Sequence, residues 1–519
     1  MPKRSGEKPT PKRKPISFGE PDFHMVSSME RAAGKPTQDT PFRVALLGDF
    51  SGRGNRGVCE PGHGIAKRRP REVDRDNLDE VMATLGVKIR LPLGKDARSL
   101  TLRFQELDDF LPDRLFERVE LLARLRETRR KLSEPATCAT AVAELGRKES
   151  RPSPQIAALA SGNLLDQVVE ETEGAPSGTA PDADSSEWSA FLREIVRPHI
   201  VPRDNLRQPE LIAAVDEAAA VLMRAILHHP DVEALESAWR AVWFLVSRLE
   251  TGELLKLFLI DVSRDELAAD LASAEDLQTT GTYRLLVEQT VETLGAEPWA
   301  VLAGNYTFGP TRHDAELLGR LAKIARRAGA PFLAAAHPRL LGCESLAETP
   351  DSDDWKFRAD AGDREAWQLL RALPEAAFVG LVLPRFLLRL PYGPNTEPTE
   401  QFDFDEMPGE PLHEQYLWGN PAMACASLLG QEFSEFGWAM RPGTLQEIGG
   451  LPIHVYTSEE ERKTTPCAEV VLTERAAEAI LDKGIMPLLS FKGRDTIRLA
   501  RFQSMADPPT QLAGRWGGG

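Results

Sequence analysis

The residues best placed to do chemistry in this 519-residue chain are Gly52-Arg53-Gly54-Asn55-Arg56-Gly57. A G-x-G-x-x-G run directly after an apolar stretch, with a carboxylate (Asp74) further on, is the pattern by which dinucleotide-binding enzymes seat a pyrophosphate. That chemistry needs a helix starting within the motif, so that its first backbone N–H groups meet the phosphates. The residues that follow, VCEPGHGIAKRRP, carry Pro61, Gly62 and Gly64 and no apolar stripe. A surface loop is therefore the expected reading, with nucleotide binding as the alternative. Gly48-Asp49-Phe50-Ser51-Gly52 lacks the G-x-S-x-G spacing of a nucleophile elbow. His228 and His229 are adjacent, so they point to different sides of a helix and cannot share one metal ion. His313-Asp314 is expected to cap a helix over 315–327. Asp108-Asp109 is expected to order the turn into a helix after Pro112 rather than to form an acid–base dyad. The nine histidines show no triad spacing, and Cys59, Cys138, Cys343, Cys425 and Cys467 form no CxxC pair. The chain is expected to be no enzyme, with no metal site and no cofactor.

The elements that must position these residues fall into two blocks. Phe42–Leu47 is a compact apolar run and reads as a buried strand. Leu78, Val81, Met82 and Leu85 make a helical stripe, with Asp76 available as N-cap. Leu100, Leu102 and Phe104 alternate with polar residues, as a half-exposed strand does. After Pro112, Leu115, Val119, Leu122 and Leu125 share one helix face. That helix ends in the basic run Arg126–Lys131, which complements the helix dipole. In the second block, Val232, Leu235, Trp239, Val242, Trp243, Val246 and Leu249 follow unbroken three- and four-residue spacing. Packing in the core is the plain reading of Trp239, Trp243 and Val246; a helix contact with the first block is the other. Leu254–Val262, Trp299–Ala303, Pro331–Ala336 and Phe378–Leu383 read as strands, and 299–336 has a βαβ pattern. A Pro-rich stretch, 384–411, follows, and the chain from about 466 reads as strand, helix, Gly484 turn and strand.

Composition bounds the rest. A chain of this length is expected to hold more than one domain. With 42% hydrophobic and 27% charged residues it has the composition of a soluble globular protein. No apolar run approaches the roughly 20 residues that cross a bilayer, so no membrane insertion is expected. The formal net charge of −16 argues against nucleic-acid binding, despite basic patches at 3–14 and 67–71. The N-terminus is basic and Pro-rich without an apolar core, so it is not a secretory signal. Cysteine usage suits a reducing compartment, and a cytoplasmic location is expected. The expected organisation is a disordered basic arm (1–39), a first α/β domain (40–135), a flexible linker (136–187), a second α/β core (188–460) and a C-terminal portion (461–519). The fold class is α/β, mixed, with long helices. Within the linker, Leu164, Leu165, Val168 and Val169 share one face of a short helix over 163–173, opposite Asp166, Gln167, Glu170 and Glu171. About 10 residues are too few to be a stable helix alone in water, so this one needs a surface to lie on. A partner's groove is one such surface and its own domain the other.

Both blocks resemble subunits of the contractile sheath of type VI secretion systems. The first is similar to the small subunit (the TssB/VipA/ImpB family) in PFRVALLGDFSGR (41–53), REVDRDNLDEVMATL (71–85) and LRFQELDDFLPDRL (102–115). The second resembles the large subunit (the TssC/VipB/ImpC family) in ILHHPDVEALESAWRAVWFLV (226–246), WAVLAGNYTFGPTRHDAELLGRLAKIA (299–325) and APFLAAAHPRLLG (330–342). The large-subunit likeness continues in FVGLVLPRFLLRLPYGPNT (378–396), YLWGNPAMACASLL (416–429) and PCAEVVLTERAAEAILDKGIMPLL (466–489). The resemblance implies a fused small/large protomer that polymerises with other copies or with sheath subunits around an inner tube, joins a baseplate, and contracts to deliver effectors. A non-polymerising assembly factor that binds sheath components is the alternative. Family large subunits begin with an LLD-type helix gripped by a recycling AAA+ ATPase (ClpV), and NLLDQVVEET (163–172) resembles it. Leu164, Leu165, Val168 and Val169, flanked by Asp166 and Glu170, would then be the ATPase-docking residues. In the family the two subunits are normally separate chains. Its large subunits also continue past the point matching Gln503–Pro509, in a region that exchanges strands with neighbouring subunits.

Overall fold

The computed structural model describes residues 36–93, 98–146, 208–356, 360–458 and 460–516. Nine strands form one mixed sheet. In chain order they are β1 (Phe42–Gly48), β2 (Arg71–Val73), β3 (Leu255–Asp261), β4 (Val301–Phe308), β5 (Phe332–Ala336), β6 (Val379–Leu383), β7 (Glu447–Ile448), β8 (Ile485–Ser490) and β9 (Ile497–Leu499). In space the order is β7-β9-β8-β6-β5-β4-β1-β3-β2. The mixed α/β class read from the sequence is the architecture found. What the two-block reading did not anticipate is that the blocks share this sheet. β1 comes from the first block, yet it lies between two strands of the second. It pairs in parallel with β3 from Phe42↔Leu255 to Gly48↔Asp261, and with β4 from Val44↔Val301 to Leu47↔Gly304. β2, also from the first block, closes one edge antiparallel to β3.

The apolar character of β1 on both faces explains its central place, because strands of parallel sheets are covered on both sides. Phe42, Val44 and Leu46 belong to one core layer, while Ala45 and Leu47 belong to the other. This is the alternation a strand imposes. The first layer also holds the buried faces of α1 (Leu78–Leu85), α6 (Pro230–Val246) and α10 (Pro421–Phe436). The second is covered by α7 (Arg264–Ala272), α8 (Arg312–Ala328), α9 (Ala361–Arg371) and α11 (Glu474–Asp482).

Beside the sheet lies a helical lobe of α2 (Pro112–Arg118), α3 (Glu120–Ser133) and α4 (Pro135–Gly146) from the first block, with α5 (Gln208–Leu227) from the second. α3 packs along α5 and carries α4 on its side. Residues 136–146, read as the start of the linker, are therefore the body of α4. The helix after Pro112 is interrupted at Val119, which is extended and separates α2 from α3. Two caps also differ from expectation. Asn77 rather than Asp76 precedes α1, and the Asp74 carboxylate accepts from the amides of both Asp76 and Asn77. The cap of α8 is Thr311, whose hydroxyl accepts from the Asp314 amide, while Asp314 itself takes the Gly309 amide.

Candidate functional site at the junction of the two blocks

β1 and β3 end side by side, which brings Asp49 and Asp261 to the mouth of the loop that carries the G-x-G-x-x-G run. The Asp261 carboxylate accepts from the amides of Phe50 (2.9 Å) and Ser51 (3.0 Å) and from the Ser51 hydroxyl (2.8 Å). Asp49 accepts from the amides of Arg53 (2.6 Å) and Gly54 (2.7 Å). Glu266 sits in the first turn of α7, where Ser263 and Glu266 form a capping box. Its carboxylate, fully buried, also receives the Glu60 amide (2.9 Å) and the guanidinium groups of Arg53 (3.0 Å) and Arg68 (2.5 Å). Burial by itself raises a carboxyl pKa, but the hydrogen bonds from Arg68 and Arg53 outweigh it and hold Glu266 at about 2. For Asp261, burial wins and its pKa is raised, with the Ser51 hydroxyl bond opposing. One turn further on, Asp270 of α7 ties the Gly62 amide (2.6 Å) to those of Gly281 (3.0 Å) and Thr282 (2.8 Å). Gly281 is required there, because a Cβ would lie 1.9 Å from the Gly62 carbonyl oxygen.

The loop's donors thus face carboxylates of this same chain. Within the run the Arg53 and Gly54 amides are taken by Asp49, and an anion arriving there would also meet Asp261 and Glu266, which hold the residues on either side. The arrangement does structural chemistry: it staples the first block onto the strand β3 and helix α7 of the second. Among the described residues no group of three or more His, Cys, Asp or Glu could hold a metal ion. None of their helices is long and apolar enough to cross a membrane.

A second contact lies on α6. Trp239 is fully buried, donates its indole N–H to the Phe50 carbonyl (2.8 Å), and meets the Phe50 ring edge-on at 5.8 Å. Val246 is buried, whereas Trp243 is 36% exposed, with the Arg75 guanidinium 6.0 Å over its ring. His229 caps α6 through the Asp231 amide (3.2 Å), and His228 turns the other way to Glu233 (3.2 Å). Asp231 in turn accepts from Asn55 of the glycine loop (2.8 Å). Asp109 takes the Gln105 amide (2.7 Å) and pairs with Arg118, so it orders the turn into α2. Leu164, Leu165, Asp166, Val168, Val169 and Glu170 lie outside the described residues.

Sequence reasoning missed a buried ion cluster at the foot of the Pro-rich stretch. Arg389 bridges Glu236 of α6 (2.8 Å) and Glu406 (2.8 Å), while Arg240 adds a bond to Glu236 (2.6 Å) and another to the Tyr392 hydroxyl (2.8 Å). Burial pushes Glu236 up, but Arg389 and Arg240 pull it below the usual carboxylate range. The available signal was Arg389 itself, a charge set inside the apolar run FLLRLP.

Comparison with known proteins matches both blocks. Residues 209–506 match the family VipB (EvpB/VC_A0108, tail sheath N-terminal domain). Residues 24–148 match the family described as type VI secretion system, VipA, VC_A0107 or Hcp2. Among curated relatives, the type VI secretion system sheath protein TssC1 of Pseudomonas aeruginosa is 32% identical over 316 residues, covering 60% of this chain and 64% of the relative. The sheath protein TssB1 of the same organism is 28% identical over 102 residues, covering 19% of this chain and 57% of the relative. The chain thus spans less than two thirds of the length of either.

Proposed function

This chain belongs to the VipB tail-sheath family, and on that premise we propose that it is a single-chain sheath protomer whose first block does the work of a small subunit. The observation that carries this reading is the insertion of β1 between β3 and β4. A segment matching the VipA family completes the sheet of a segment matching the VipB family. One chain then fixes one-to-one stoichiometry, and the link raises the effective concentration of each half for the other. In this reading the protomer polymerises with further copies or with separate sheath subunits around an inner tube, docks on a baseplate and contracts in the cytoplasm to drive effector delivery. Its role is mechanical, with no catalysis. Trp239 and Val246 lock α6 to the core that both blocks share. The segment 163–173 lies in the connection between the blocks, where Leu164, Leu165, Val168 and Val169, with Asp166 and Glu170, are the docking residues for a ClpV-type AAA+ ATPase.

Electron microscopy of the purified protein tests this. Long hollow tubes are the expected result, alone or after adding separately expressed sheath subunits. Discrete particles at high concentration under both conditions would refute polymerisation and favour an assembly factor that binds sheath components.

A further inference from the structure

The Pro-rich stretch leaves the sheet core, reaches the helical lobe and returns, and its two ends are fastened by different physics. At the base, both terminal nitrogens of the Arg389 guanidinium donate to the Glu406 carboxylate (2.8 and 2.9 Å), and its Nε donates to Glu236. The Tyr392 amide donates to Glu406 (2.7 Å), and the Glu406 amide donates back to the Tyr392 carbonyl (2.8 Å). Glu236 and Glu406 are fully buried and Arg389 nearly so. Parting these groups would strand charges in a low-dielectric interior. At the tip, the amides of Glu400 and Gln401 both donate to the Asp113 carboxylate of α2 (3.0 Å each), and Phe402 stacks on Phe116 at 4.2 Å. Here Asp113 and Phe402 are half-buried, and Glu400 and Gln401 are at or near the surface. Water can replace those bonds when they open. Phe404, 4% exposed and part of the main core, marks where the fixed part begins.

We propose that residues 389–406 form a two-part clasp, fixed at its base and releasable at its tip, which lets the helical lobe shift against the sheet while the loop stays anchored. Asp113 is the catch: one side chain of the first block satisfies two successive amides of the second. The proposal does not rest on polymerisation and is testable on the isolated full-length chain.

The test is amide hydrogen exchange resolved to single residues. In the unaltered protein the Glu400 and Gln401 amides are expected to exchange at least about tenfold faster than those of Tyr392 and Glu406. Asp113→Ala should speed the tip amides by a further factor of about ten, the scale of a lost hydrogen bond to a charged group. The Tyr392 and Glu406 amides should be unchanged in that variant. Tip and base amides exchanging at one common rate, accelerating together in Asp113→Ala, or a tip indifferent to the substitution would each overturn the clasp.

Discussion

Glu266→Gln is the substitution that reads most directly on how the two blocks are joined. The carboxyl lies at about 2 in the folded protein against its ordinary 4.5. That displacement corresponds to about 3 kcal/mol of stability. The side chain is fully buried, while Arg53 and Arg68 keep a sixth or less of their side-chain surface exposed. Neutralising Glu266 therefore leaves two guanidinium groups poorly paired, a change that costs about 3–5 kcal/mol when a buried pair is broken. Because the arginines retain some solvent, the low end is expected: about 3 kcal/mol lost at neutral pH. The sign of the pH dependence follows from the lowered pKa. The contribution is fully present above pH 4.5, and it is lost as pH falls towards about 2. Urea unfolding followed by tryptophan fluorescence, on both proteins from about pH 7 down to about pH 2.5, should show a constant gap above about pH 5. The gap should shrink below about 1 kcal/mol at the acid end. Glu469, also held at about 2 by His413 and Arg385, titrates in the same window, but it is common to both proteins and cancels in the difference. A gap under about 1 kcal/mol at pH 7, or one that stays constant down to the acid end, would refute the argument that Glu266 is the ionic staple.

Two further outcomes follow from the same structure. Trp239→Phe removes the indole bond to the Phe50 carbonyl and leaves that buried oxygen without its partner, so about 2 kcal/mol should be lost; equal urea midpoints for the two proteins would contradict this. Leu165→Asp places a charge on the apolar face of the 163–173 segment, and it should abolish binding of a ClpV-type ATPase in a pull-down while leaving the urea midpoint unchanged. Undiminished binding would remove the segment from the account.

How far the sequence foretold this molecule depended on whether a signal was local. The run Phe42–Leu47 announced a buried strand, and its apolar residues at both odd and even positions implied cover on two faces. Nothing in the run names its neighbours, since parallel pairing with Leu255–Asp261 spans more than 200 residues. Trp239 was legible as an inward residue from its spacing, but its bond to Phe50 was not, because hydrogen-bond partners across blocks leave no periodicity. The glycine loop shows the reverse case. Its spacing suggested phosphate chemistry, whereas the lack of an apolar stripe after it pointed to a surface loop; the structure shows its Arg53 and Gly54 amides held by Asp49. Asp49, just after β1, takes those amides locally, whereas Asp261 of β3 and Glu266 of α7, which hold Ser51 and Glu60 on either side of the run, lie more than 200 residues away. The capping box of Ser263 and Glu266 was not read from the sequence, and the added role of Glu266 in binding Arg53 and Arg68, about 200 residues away, left no local signal. The ion cluster around Arg389 was hidden for the same reason, since Glu236 lies on α6 and Glu406 at the far end of the same Pro-rich stretch, with no periodicity linking either to Arg389.

One chain supplies both halves of a single sheet, so the connection between the halves should be dispensable once they have folded. A protease site placed in the 147–207 stretch, cut after purification under native conditions, tests this in one size-exclusion run. The two fragments should stay together in one-to-one ratio at the elution position of the uncut chain, since β1 remains paired on both edges. Separation of the fragments into two peaks without denaturant would contradict it.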